Sequence, residues 1–232
     1  MSVVTMSGTI ASGAREIGRA AASLLEIDYV DQQLLVDAAR RLGVPVDVMA
    51  GHDERCSSFG QRLSHLLRGF LERSAAAGDP MTGAGGLEML LGRTYADLSV
   101  ERVEPEVTDS LYMKTITVIL RELGDRGDIV VLGRGSQMIL RELPGALHVL
   151  TLAPRELRVQ RLAEREGVTE AEAAKRVDDS DKARGAFYHK FWKVDVSDPR
   201  LYDLAIETSH LSFEAGAELV AAAVRLRQSE AA

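Results

Sequence analysis

The segment "VVTMSGTIASGAREIGRAAASLL" sets two glycines, Gly8 and Gly13, between an apolar start and a run with helical periodicity. A strand, a glycine loop and a helix in that order turn successive backbone N–H groups toward one point. With the helix N-terminus behind them, they form an anion site that needs no side chain, suited to the phosphates of a nucleotide. Gly8, Ser12, Gly13, Ala14, Arg15 and Glu16 are the residues such a site would use. The full phosphate-loop pattern continues with a lysine and a hydroxyl residue. These bring charge to the β- and γ-phosphates and a ligand to magnesium. Ala14 and Arg15 stand at those two positions. Arg15 brings charge, but not the point geometry of an ammonium. Glu16, in the first helical turn, suits the helix dipole and repels phosphate. A glycine-containing turn that binds nothing fits the same residues.

Arginines gather at three further places. Arg134 follows the apolar run "IVVL" between two glycines, where a strand end aims its planar fork into a ligand crevice. The plainer reading is a surface arginine in a tight turn. Arg158, Arg161 and Arg165 share one helical face and suit the clamping of a transferring phosphoryl group. The interleaved Glu164 and Glu166 suit a salt-bridged surface helix equally well. Asp181 and Arg184 are placed to contact a polar substrate jointly, or to form an intrahelical ion pair. The aromatic run "AFYHKFW" suits stacking on a base, or packing in a core or dimer interface. His52 and Cys56 lie one helical turn apart, too few ligands for a metal, and no structural metal site is expected.

Holding these groups in place requires a sizeable core. The 232 residues suit one large domain over 1–232, with the stretch 51–107 as a helical insertion more mobile than the rest. The net charge of −7 argues against a generic nucleic-acid binder. A single cysteine, no bilayer-length apolar run and no signal-like start together suggest a cytoplasmic protein without membrane partners. Short β-branched strands are expected at the N-terminus and in "IDYVD", "DIVVLG", "GALHVLTL" and "LYDLAIETS". Helical patterns separate them, among them "QQLLVDAARRLG", "TDSLYMKTITVILRELGDRG", "SQMILREL" and "PRELRVQRLAERE", and the helix after Thr169 opens with a Thr169–Glu172 capping box. Strands alternating with helices indicate an α/β fold, a parallel sheet wrapped by helices, with ligands at the carboxyl ends of the strands.

Taken in order, these stretches resemble the cytidylate kinase-like branch of the P-loop nucleoside monophosphate kinases, over most of the chain. "SGTIASGAREIGRAAASLL" looks like that branch's loop and first helix, and "YVD", ending at Asp31, like its second strand. The resemblance implies a P-loop kinase-type sheet and ATP-dependent phosphoryl transfer, with Mg2+, to a small acceptor such as a nucleoside monophosphate. It implies that Arg134 binds the acceptor phosphate, that Arg158, Arg161 and Arg165 belong to a lid helix clamping phosphates, and that Asp181 and Arg184 contact the acceptor, with Asp31 on the substrate side. The chain departs from the pattern at Ala14 and Arg15, at "QQLL" after Asp31, and at Gly135, where an aspartate usually stands. A nucleotide-binding protein without transfer, and an oligomeric scaffold without ligand, are the rival readings. A homodimer is compatible with all three.

Overall fold

Residues Val3 to Met6, apolar but for Thr5, lie in a strand, β1 (Val3–Gly8), buried on both faces. Such a strand has to be covered twice. The computed structural model describes residues 1–42, 58–76, 84–99 and 107–230. In it, β1 pairs in parallel with β3 (Ile129–Leu132) on one side and with β4 (Leu147–Leu152) on the other. β2 (Asp28–Val30) adds to β3 and β5 (Leu204–Glu207) adds to β4, giving a five-stranded parallel sheet in the order β2-β3-β1-β4-β5. This is the α/β architecture that the alternating pattern predicts.

Period-two alternation divides the core between the two faces. Val3, Ile129 and Val131 belong to one apolar cluster, and Val4, Met6, Val130 and Val149 to the other. Two helices cover the second face: α1 (Ala14–Leu25), through Ile17 and Ala21, and α10 (Phe213–Glu230), through Ala217 and Val220. The first face lies under the helices that follow β2: α2 (Gln32–Leu42), α3 (Ser58–Ala76), α4 (Ala84–Leu91), α5 (Tyr95–Ser99) and α6 (Val107–Arg126). A third, smaller cluster joins two more helices, α8 (Arg155–Glu166) and α9 (Glu170–Trp192). There Val159, Leu162, Ala173 and Val177 pack on Ile10 and Ala11 of the glycine loop.

Helix α9 is the longest element described, 23 residues, or roughly 34 Å at the usual helical rise. Its first turns lie in the small cluster, and its last turns enter the main core through Phe187 and Tyr188. The aromatic run is therefore core. Phe187 meets Tyr95 at a tilt, 4.8 Å between centroids, and Trp192 edge-to-face at 5.5 Å. The Thr169–Glu172 capping box is present at its start.

Two local expectations shift. "SQMILREL" holds only four helical residues, α7 (Ser136–Ile139), because Pro144 and Gly145 favour turn geometry just beyond. Pro154 sits one position before α8 rather than inside its first turn. Of the stretch "DPMTGAGG", Ala84, Gly85 and Gly86 open α4, and residues 79–83 lie outside the described residues. His52, Cys56 and residues 100–106 of the polar stretch "VERVEPEV" lie outside the described residues, and its last residue, Val107, begins α6. Among the described residues no helix is long and apolar enough to cross a membrane, and no cluster of three or more metal-ligating side chains occurs.

Gly135 lies where the end of β3 meets the aromatic core. Its φ of +70° disfavours any side chain, and an added Cβ would run into the Trp192 ring. Gly135→Ala is expected to lower stability by about 2 kcal/mol. Urea unfolding followed by the fluorescence of Trp192, the chain's one tryptophan, measures this, and an unchanged midpoint contradicts the packing described.

Candidate functional site

The carboxyl ends of β1 and β3 open onto a cleft of about 380 Å³, bounded by the glycine loop, the start of α2, Tyr95 of α5 and the middle of α9. The loop keeps its shape through hydroxyl groups. Ser12 Oγ donates to Thr9 O at 2.7 Å, so its other contact, Thr151 Oγ1 at 2.7 Å, is the donor to it. Gly13 opens α1 with φ +92°, and a Cβ there would strike the Phe213 ring. No side chain caps α1, and the first amide to close a helical bond is that of Ile17, on Gly13 O at 2.9 Å. The amides of Ala14, Arg15 and Glu16 have no acceptor among the described residues. They line the cleft and form the positive end of the helix dipole.

The side chains around the loop are more committed than the sequence suggests. Arg15 is half exposed and lies 3.5 Å from Asp31, which also meets Arg19 at 3.3 Å. The other Asp31 oxygen accepts the Leu34 amide at 3.0 Å and so starts α2. Asp31 thus has both oxygens in use within the fold. Glu16 borders the cleft with Arg165, their charged groups 3.8 Å apart.

Arg134 reaches the cleft wall, but its guanidinium turns away from solvent. It sits in a left-handed turn, Gly133-Arg134-Gly135, with φ values of +73°, +60° and +70°. The residue is 4% exposed. Nη1 donates to Arg93 O and to Tyr112 Oη (2.9 Å), Nη2 donates to Leu91 O (3.0 Å), and the backbone amide donates to Tyr95 Oη (2.8 Å). The arginine thus fastens α4, α5 and α6 to the end of β3. Burial raises the Tyr112 hydroxyl pKa against the opposing charge of Arg134, so the phenol stays protonated.

The helical arginines diverge in the same way. Arg158 forks onto Asp181 at 3.0 and 2.7 Å and donates to Ala153 O, tying α8 to α9. Asp181 therefore pairs across helices and not with Arg184, three positions on. Arg161 donates to Thr208 Oγ1 (2.8 Å) and Thr208 O (2.7 Å), and its guanidinium lies 5.0 Å from the Phe213 ring. Of the three, only Arg165 borders the cleft, half exposed. Arg184 also faces the cleft, 6% exposed, with Nη2 donating to Ser7 Oγ at 2.8 Å.

Several participants carry little sequence signal. Ser7, Thr151 and Thr208 are hydroxyl residues at or just beyond strand ends, a position that hints at a site only once the strands are paired. Tyr95 is announced better. It follows Thr94, whose amide and hydroxyl bond to Asp97 at 2.7 and 2.8 Å, a readable helix start in "RTYAD".

The sequence profile of the cytidylate kinase-like family matches residues 3–210. The cytidylate kinase of Methanopyrus kandleri is 31% identical over 112 residues, which cover 45% of this chain and 58% of that protein. The cytidylate kinase of Methanocaldococcus jannaschii is 28% identical over 164 residues, covering 70% and 83%. The solved structure of an uncharacterized protein from Eubacterium ventriosum shares the fold. Its TM-score is 0.58 at 15% identity, over 97% of this chain and 99% of that one.

A lysine cannot reproduce the two-pronged contacts of Arg134. Arg134→Lys is expected to cost roughly 2–3 kcal/mol of stability, the scale of losing charged hydrogen bonds to buried acceptors. Chemical denaturation measures it, and wild-type stability in the variant contradicts the fastening role.

Proposed function

The chain belongs to the cytidylate kinase-like family, and from that premise we propose that it transfers a phosphoryl group from ATP to a small phosphate-bearing acceptor such as a nucleoside monophosphate. One observation carries the reading: the free amides of an uncapped helix and a buried arginine, Arg184, face the same cleft. Phosphoryl transfer asks little covalent chemistry of the protein and much positioning and charge neutralisation. The loop amides hold phosphate oxygens without reorganising, since the hydroxyl pairs fix their directions before any ligand arrives. Arg165, bordering the cleft from α8, is free to swing onto the transferring group, where its charge counts most as water is excluded. The helices between β2 and β3 cover the acceptor side, and Arg134 holds them there rather than touching the acceptor.

The donor set fits a magnesium ion carried mainly by the phosphates. Arg15 replaces the usual hydroxyl, the Ser12 hydroxyl is engaged, and Asp31 is fully bonded, leaving Glu16 as the carboxylate that would help hold the ion. When bound, magnesium offsets the charge that builds on the phosphate oxygens.

A second reading, nucleotide binding without transfer, draws support from Ala14 and from Arg15, whose charge faces Asp31. A coupled assay with ATP and a panel of nucleoside monophosphates separates the two. Arg165 is half exposed and its ion pairs contribute little to folding. Arg165→Ala is expected to lower kcat by roughly 10- to 100-fold while ATP affinity stays within about threefold. ATP binding without transfer to any acceptor supports the second reading, and no ATP binding by the folded wild type overturns both.

A further inference from the structure

The loop has no lysine, yet a buried cation stands beside it, supplied from the far end of the chain. Ala14, at the position of the usual lysine, carries no charge. The Ala14 methyl points across the loop, 3.0 Å from where a Cβ on Gly8 would stand. Arg15, next in line, faces Asp31 and solvent. Arg184 instead enters from α9 and meets Ser7, the residue before Gly8, at 2.8 Å. Its guanidinium also lies 5.6 Å from the Tyr188 ring.

Among the described residues, Nε and Nη1 of Arg184 have no hydrogen-bond acceptor, and no carboxylate forms an ion pair with it. The nearest candidate in sequence, Asp181, is held by both prongs of Arg158. Asp195 senses Arg184 only weakly. Its lowered pKa comes first from the Ser197 hydroxyl and amide. A buried charge without a counter-ion is costly unless a ligand completes it. The cleft wall at Arg184 is shared with the loop amides, and both favour the same chemistry, a polyphosphate.

We infer that Arg184 does the work of the missing lysine, bringing its buried charge from α9 to the donor's β- and γ-phosphates above the loop amides. The assignment rests on the nucleotide-dependent reading given above, and it moves Arg184 from the acceptor side, where the family resemblance puts it, to the donor side. It also ties donor binding to the lid, because the helix that carries Arg184 is bolted to α8 through Asp181 and Arg158.

Calorimetric titrations of magnesium-ATP, inorganic tripolyphosphate and cytidine monophosphate into the folded protein and its variants test this. Arg184→Ala is expected to lose affinity for ATP and for tripolyphosphate by about 10- to 100-fold, the scale of hydrogen bonds to charged groups. Its affinity for cytidine monophosphate should stay within about threefold, below the scale of a lost charged contact. Arg184→Gln keeps an N–H for Ser7 without the charge and should show the same loss, with thermal melts confirming the fold. Ala14→Lys placed in the Arg184→Ala chain should recover most of the ATP affinity. Unchanged ATP affinity in both Arg184 variants, a loss confined to cytidine monophosphate, or no recovery in a folded double variant overturns the assignment. A wild-type protein that binds no ATP overturns the nucleotide reading itself.

Discussion

Helix α1 begins at a glycine in a left-handed conformation with nothing capping it, and the cleft is organised around that unsatisfied end. Helix starts are normally closed by a serine, threonine or aspartate side chain. Here the Ser12 hydroxyl, next to Gly13, bonds to Thr9 of the loop and to Thr151 of β4, and leaves the amides of Ala14 to Glu16 open. Gly13 cannot be exchanged without meeting Phe213, which is in turn held beneath Arg161. The loop is rigid because of what surrounds it, and it stays available to an anion because its donors are unspent.

Cationic groups are then sorted by partner. Most arginines near the cleft are committed to structure: Arg134 to carbonyl groups and a phenol, Arg158 to Asp181, Arg161 to Thr208. Three others line the cleft beside the loop: Arg184, buried, Arg165, half exposed, and Arg15, half exposed and drawn toward Asp31. The buried one, Arg184, is held by Ser7, whereas Arg165 is half exposed. That division matches what phosphoryl transfer requires, a constant charge on the donor and a mobile one arriving with closure. Helix α9 connects the parts, since one continuous element runs from the small cluster with α8 through Arg184 into the aromatic core.

Much of this frame is legible in the sequence because it follows from local periodicity. The β-branched strands, the two-faced burial of β1 and β3, and the Thr169–Glu172 capping box are short-range properties. The destinations of the arginines are not. Arg134 and Arg184 look alike in sequence, each beside glycine, and only the carbonyl groups of Leu91 and Arg93 decide that the first is structural. Asp181 looks ready to pair with Arg184 three residues on, yet it pairs with Arg158 on another helix, 23 positions away. Such choices depend on helix packing against a sheet, which no spacing rule contains. The Ser7–Arg184 contact, 177 positions apart, lies furthest from anything a sequence displays.

The amides at the start of α1 are the groups that would hold phosphate without a lysine. Amide hydrogen exchange over residues 8–17, with and without magnesium-ATP, tests it most directly. Exchange is expected to slow at Ala14, Arg15 and Glu16 when ATP is added. Unchanged exchange at those amides, in protein shown to have ATP bound, would contradict it.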